Sequence, residues 1–459
     1  MLSVEKIGGT SMTAFGDVMK NVIFHNRTGI ELYNRIFIVS AYSGVTNWLL
    51  EDKKTGAPGI YHHFINQKEF HSSLNDLSVK LKEMNKKFEP LGLNINEADE
   101  FIEKRVQNAR RYLDSLSDVL ASGYVSQENI FQAAREILAS IGESHSAFNS
   151  VNILQSKGVN SVLVDLSGFH DSTPLTIDQR VQQTLKNIDF SNNITIVTGY
   201  TKGTEGIMRE FDRGYSEVTF CKVAVAVKAD EAIIHKEYHL SSADPNIVGV
   251  ENCIPVGMTS YDVADQLADV GMEAIHPKAS KPLEINGINL RIKNTFEPNH
   301  PGTLITKGYV GENKRVEVIT GTDKVMVIDV HDPMMVGTVG FDLQMMQDFA
   351  KYGISYICKT TSANAISIVI WEKDYKEELI KLLQSNYQTI TVKKVAIVCL
   401  IGTNIDQPGV LSKAAGALSQ NNINILITGH ALRQVNIQFV IEREKFKDAI
   451  KALNGTLFF

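Results

Sequence analysis

The chain reads as an α/β protein: a three-layer αβα sandwich with a mostly parallel central sheet, followed by two βαββα units of ferredoxin-like pattern. Three observations predict this. Short apolar strands alternate with helical patterns from residue 1 to about 305. The opening strand breaks into a glycine pair, Val4-Glu5-Lys6-Ile7-Gly8-Gly9-Thr10-Ser11-Met12. From about residue 324 the order strand, helix, strand, strand, helix occurs twice, an internal repeat of roughly seventy residues.

The elements follow in order. Residues 4–7, 35–39, 161–166, 195–198, 231–235 and 289–292 are short apolar runs of strand type. Helical periodicity marks 130–155 and 217–227. Apolar strands alternating with helices imply a parallel sheet covered on both faces. The stretch from 51 to 128 is polar, rich in lysine and asparagine, and helical around 74–88 and 98–120. It is a helical excursion from the sheet, either lid-like or a peripheral hairpin without chemistry. In the repeat, 324–330, 354–360, 365–370, 394–400, 423–430 and 435–441 read as strands, and 339–352, 375–385, 409–421 and 443–453 as helices. The boundaries expected are 1–305, 306–390 and 391–459, with 455–459 as a last strand returning to the first repeat.

Composition narrows the function classes. A chain of 459 residues exceeds one typical core. With 43% hydrophobic and 21% charged residues it has the make-up of a soluble globular protein. A net charge of −6 without a long basic run argues against a nucleic-acid binder. No apolar run approaches a membrane span, and the N-terminus lacks a signal-peptide pattern. The cysteines Cys221, Cys253, Cys358 and Cys399 form no C-x-x-C pair, which points to reduced thiols in a cytoplasmic protein.

Three clusters carry chemistry. In the first, Lys6 precedes the bare N–H groups of Gly8 and Gly9 and the hydroxyls of Thr10 and Ser11, a combination suited to phosphate. The second is the turn Ser40-Ala41-Tyr42-Ser43-Gly44-Val45-Thr46-Asn47 after another apolar strand, where open α/β sheets bind ligands. The third runs from Asp212 through Arg213, Gly214, Tyr215 and Ser216 to Glu217 and opens a helix, whose N-terminus favours anions. Arg213 has the planar fork that grips a carboxylate. Glu143 sits beside Gly142 in a helical pattern, where on spacing alone a glutamate is ordinarily solvated. There is no Walker A sequence, no protein-kinase H-R-D or D-F-G, and no opening G-x-G-x-x-G.

These segments, in this order, resemble aspartate kinases of the amino-acid-kinase fold. Lys6–Met12 is similar to the K-F-G-G-T-S signature with Ile7 in place of Phe. Residues 39–47 resemble the S-A-x-x-G-[VI]-T-N turn, and Gly142-Glu143 the G-E pair. Ile275-His276-Pro277, Asn294-Thr295-Phe296 and Pro301-Gly302-Thr303 resemble the end of the catalytic domain. The βαββα repeat resembles paired ACT regulatory domains. Asp212–Glu217 stands where the family usually has G-R-G-G-S-D, His235–His239 where it has T-D-V-x-G, and Glu273 replaces a common lysine. The segments at 212–217, 233–245 and 53–61 resemble the aspartate kinases found with ectoine-synthesis genes.

The resemblance implies ATP-dependent phosphorylation of the L-aspartate side chain, with Mg2+ on the nucleotide, at the head of the lysine, threonine, methionine or ectoine routes. It implies catalytic roles for Lys6 and Glu217. Phosphates fall to Lys6, Ile7, Gly8, Gly9, Thr10, Ser11, Ser40, Ser216 and Lys236, and aspartate to Ser40, Thr46, Glu143, Arg213 and Gly214. An amino-acid effector, lysine or threonine, is expected near Asn404, Asp406, Gly409, Asn422 and Ile423, and a homodimer or higher oligomer through the ACT domains. The rival readings are another amino-acid kinase, or an amino-acid-binding regulatory protein whose kinase site has decayed.

Overall fold

The computed structural model describes residues 1–52, 55–169, 171–211, 214–272, 275–312, 316–432 and 435–458. The chain divides into two compact units, residues 1–239 with 278–304, and 240–277 with the remainder.

In the first unit six parallel strands run in the spatial order Ser161–Val164, Ile194–Thr198, Arg35–Val39, Ser3–Ile7, Glu231–Lys236 and Asn289–Asn294. Arg35–Val39 is buried along its whole length, as expected for a strand covered on both faces. Register fixes where the chemistry lies. Ile7 pairs with Val39, and Val39 with Thr198. The turns after these strands therefore meet at one edge of the sheet.

The Gln127–Ser156 helix is 30 residues long, and nearly all of its second half is buried. The expected helical excursion is present as Ile60–Ile65, His71–Phe88 and Ile95–Ser122. Phe101 stacks on Phe148 at 4.2 Å, fastening the excursion to the long helix. Arg105 pairs with Asp165, just beyond the Ser161–Val164 strand. Asn94 caps the Ile95–Ser122 helix, its side chain accepting from the Glu97 N–H.

In the second unit the βαββα order holds twice, but the two copies are not separate domains. They share one six-stranded antiparallel sheet in the order Cys358–Thr361, Ala365–Trp371, Val318–His331, Thr389–Ile401, Asn436–Glu442 and Ile425–His430. The two central strands pair along their length with a register shift between Val395 and Ile397. Residues 389–395 thus add a fourth strand to the first copy, and 318–322 add one to the second. The expected strand at 455–459 does not exist among the described residues. Phe446–Leu457 is one amphipathic helix whose Ala449, Ile450 and Leu453 are buried, and the edge of the first copy that it was to fill is already taken by 389–395.

Alternation along the strands sorts the core. Met326, Ile328 and Val330 face the helices of the first copy, with Met345, Phe349, Leu379 and Leu383. Ala396, Val398 and Leu400 face those of the second, with Ala414, Leu418 and Leu453. On the other face Val395, Ile397 and Cys399 pack against Val263, Leu267 and Val270 of the 240–277 segment. That segment was expected with residues 1–305, and this apolar face is why it packs with the second unit.

Gly321 pairs with Val398 beside the register shift, and a Cβ there would fall on the Ile397 carbonyl oxygen. Gly321→Ala is expected to cost about 1–3 kcal/mol, the scale of overpacking. Denaturant unfolding followed by near-UV signal measures it. Wild-type stability would argue against this strand pairing.

All four cysteines are free thiols. No described helix is long and apolar enough to cross a membrane.

Candidate active site

The Ser3–Ile7 strand delivers Lys6 to the sheet edge, where its Nζ lies 3.2 Å from Glu217 Oε1. Both side chains are largely covered, about 12% and 13% exposed. Glu217 belongs to the Tyr215–Ala226 helix, which opens from Gly214 at φ +105°, a left-handed conformation that favours glycine. Gly8 caps the short helix after the strand. Gly9 packs so closely that a Cβ would sit 2.7 Å from the Ala41 carbonyl. The Ser43 N–H donates to Thr13 Oγ1 at 2.9 Å, tying the first two turns together.

A cleft of about 270 Å³ opens between these turns. It brings together Gly9, Thr10, Ser40, Thr46, Glu143, Gly214 and Ser216, seven of the residues predicted from sequence. Ser40 and Ser216 share a hydrogen bond of 3.2 Å, and Ser146 of the long helix donates to the Ser40 carbonyl at 2.9 Å. Gly199 is the pivot: a Cβ would meet Ser216 Cβ at 2.7 Å and Glu143 Cγ at 3.1 Å.

Glu143 departs from the solvated helix glutamate of the sequence reading. It is 2% exposed, and its Oε2 has no hydrogen-bond partner among the described residues. Burial pushes its carboxyl up to about 7, against hydrogen bonds from Tyr215 and the Ala41 backbone and the charge of Lys6. With no cation in ion-pair contact among the described residues, this buried carboxylate is poised for a cationic ligand. Nearby His145 is also buried, which lowers its ring to about 3, and its Nε2 meets Asn85 Oδ1 at 2.6 Å.

Other predicted residues lie elsewhere. Ile7 is buried, and only its backbone serves the site, its carbonyl accepting from the Ser40 N–H at 3.1 Å. The Ser11 hydroxyl, expected around phosphates, is fully buried, 3.3 Å from Glu237 Oε1 and 3.1 Å from Thr295 Oγ1. Lys236 ends its strand, its carbonyl accepting from the Thr295 N–H at 2.8 Å, and it does not line the cleft. Arg213 lies outside the described residues.

The expected effector residues occupy the second unit. Asn404 Nδ2 donates to the Gly311 carbonyl at 2.7 Å, Asp406 is exposed, and Gly409 caps the Val410–Gln420 helix. Asn422 and Ile423 lie past its other end. Eleven helical residues separate the two groups by about 16 Å, so within one chain they are not brought together.

Sequence reasoning passed over Tyr215 as a site residue. It lines the cleft, hydrogen-bonds to Glu143 and meets Tyr200 edge-on at 5.9 Å. The signal was available, because Tyr215 stands where the resembled family has glycine. Tyr200 in turn donates to Glu136 Oε2 at 2.5 Å.

This fold, with a lysine and a glycine turn at the end of its first strand, defines a class. Residues 1–294 match the model of the amino acid kinase family, and residues 398–457 an ACT domain. The chain is 41% identical to "Aspartate kinase Ask_Ect" of Stutzerimonas stutzeri strain A1501, across 100% of this chain and 97% of that protein. The aspartate kinase of Clostridium acetobutylicum superposes with a TM-score of 0.71 over 99% of both chains at 21% identity. E. coli aspartokinase III, solved with aspartate and ADP, gives 0.73 over 100% of both at 18% identity. The chain belongs to the amino acid kinase family, among its aspartate kinases.

Proposed function

We propose that the chain transfers the terminal phosphoryl group of ATP to the side-chain carboxylate of L-aspartate, giving 4-phospho-L-aspartate and ADP. The observation that carries this is Glu143, a buried carboxylate with an unpartnered oxygen in the same cleft as Gly9, Thr10, Ser40 and Ser216. An amino acid supplies the ammonium that Glu143 lacks. The full-length likeness to an aspartate kinase supports aspartate in particular.

The side-chain carboxylate of aspartate has a pKa of about 3.9, so it is ionised at neutral pH and needs no general base. The difficulty is bringing an anion to a polyanion. Lys6 faces that difficulty as a fixed positive charge, and Glu217 holds its Nζ in place. Backbone N–H groups of Gly8 and Gly9 and the hydroxyls of Thr10, Ser40 and Ser216 supply donors. Glu143 takes the substrate ammonium, Thr46 lies beside it, and Arg213 takes the α-carboxylate. Among the described residues no three His, Cys, Asp or Glu side chains gather as a metal cage. This reading assigns Mg2+ to the nucleotide phosphates and water, its usual arrangement.

An aspartyl-hydroxamate assay with coupled ADP detection tests the reading. Aspartate-dependent ADP release is expected. Release with another acceptor but not aspartate would favour a different amino-acid kinase, and none with any acceptor a decayed site. Arg213→Ala is expected to raise the KM for aspartate with little change in the KM for ATP, and an unchanged KM for aspartate removes the carboxylate role. The same assay with added lysine and threonine tests feedback through the C-terminal repeat. The reading also includes a cytoplasmic homo-oligomer paired through its ACT domains.

A further inference from the structure

Side chains alternate across a strand, so Glu5 points to the face of the sheet opposite Lys6. There, within the first unit, lies a second and larger cavity of about 470 Å³. Its volume is that of a small-molecule site, and nothing in the phosphoryl-transfer reading uses it.

Its walls are charged, and the charges do not balance. Glu5 is 2% exposed and already committed. Arg35 grips it with Nε at 2.6 Å and Nη2 at 3.0 Å, and His235 Nε2 lies 2.7 Å away. Burial pushes the Glu5 carboxyl up, but Arg35 and His235 outweigh it and hold the group well below the usual carboxylate range. Arg35 also donates to the Ile23 and Val22 carbonyls, both at 2.9 Å. The other carboxylate in the wall, Glu31, accepts from the Thr28 N–H at 3.2 Å.

Two further cations line the cavity, Arg27 and Lys293, both partly buried. Among the described residues, Arg27 donates only to the Val22 and His25 carbonyls, at 3.3 and 3.5 Å, and Lys293 only to the Pro298 carbonyl, at 3.3 Å. Neither has a carboxylate within ion-pair distance among the described residues. Burial lowers both from their ordinary values; the longer-range pull of Glu5 on both, and of Glu31 on Arg27, opposes this only in part, while neighbouring cations add to it, Arg35 for Arg27 and Arg27 for Lys293. A cation partly withdrawn from water without a carboxylate in contact is costly. Two such groups facing one polar cavity make a site for negative charge.

We propose that this cavity binds a small oxyanion, the phosphate or carboxylate group of a small molecule, through Arg27 and Lys293. The Asn294 side chain, also in the wall, is tied to Glu297 Oε1 at 3.0 Å and to the Phe296 N–H at 2.9 Å. The positive charge for recognition comes from the two cations.

The test uses the full-length chain carrying Lys6→Ala, so that phosphate at the phosphoryl-transfer cleft does not confuse the reading. Inorganic phosphate and succinate are titrated separately by calorimetry at constant ionic strength, with chloride as control. Saturable binding of at least one is expected, with a rise in Tm that follows occupancy. Phosphate alone assigns a phosphoryl ligand, succinate alone a carboxylate, and both the shared oxyanion chemistry. Lys293→Met and Arg27→Gln, each added to Lys6→Ala, are expected to weaken Kd at least tenfold and abolish the Tm rise. Lys293→Met without anion is expected to melt no lower than its parent, since it removes a desolvated charge, which certifies that it folds. If it does not fold, Arg27→Gln decides. No saturable binding, or unchanged affinity in the folded variants, overturns the proposal. Because activity is not the readout, the result is independent of whether aspartate is the substrate.

Discussion

Lys6→Ala is expected to lower turnover about 10²–10³-fold, the scale of removing one electrostatic stabiliser, with the fold retained. Two unit charges about 4 Å apart repel by about 4 kcal/mol at an effective dielectric near 20. A carboxylate approaching a triphosphate meets several such terms, and phosphoryl transfer depends on offsetting them by position and charge. Lys6 is placed for this by its strand and held by Glu217 at 3.2 Å. The pair also allows a sharper experiment. If Glu217 acts through Lys6, Glu217→Gln lowers turnover in the wild type but adds little to Lys6→Ala, a non-additivity that a double-mutant cycle reads. The measurement is kcat at saturating ATP and aspartate, with circular dichroism as the fold control. Wild-type turnover in folded Lys6→Ala rejects the assignment, and full additivity separates Glu217 from Lys6.

Much of this site was legible because its pieces are local. A strand ending in glycines, a serine-rich turn after a second strand and a glycine opening a helix can each be read from a few residues. The parallel register then brings them together, since Ile7, Val39 and Thr198 end their strands side by side. What was not legible depends on direction and on distant pairing. Ser11 lies one residue past Thr10, yet the helical turn that leaves Thr10 at the cleft sends Ser11 inward to Glu237 and Thr295. The burial of Glu143 comes from Ala41, Tyr215 and Gly199 closing over it, contacts that periodicity does not encode. The repeat was plain from its order of elements, but the exchange of strands was not. Pairing 318–322 with 397–401 spans more than seventy residues and depends on a register shift. The helix at 446–457 was mistaken at its end because Leu457 and Phe458, read alone, have the apolar look of a strand, whereas both pack against the core around Leu453.

Glu143→Gln is expected to lower kcat/KM for aspartate about 10–100-fold, the worth of a charge-assisted contact of about 1.5–3 kcal/mol, while the KM for ATP changes little. The pH dependence gives the stronger test. Burial raises the Glu143 carboxyl to about 7 in the empty site. The ionised form pairs with an ammonium and the protonated form does not. Wild-type kcat/KM for aspartate is therefore level above pH 7 and falls below it, approaching tenfold per unit. Both carboxylates of free aspartate stay ionised through that range, and its ammonium stays protonated, so the limb does not come from aspartate. In Glu143→Gln the limb disappears and the profile is low and flat. A glutamine keeps the shape of the side chain, so a merely structural role would leave the limb in place. A limb that survives at the same pH in folded Glu143→Gln assigns it to another group, and with it goes the claim that this buried carboxylate receives the substrate ammonium.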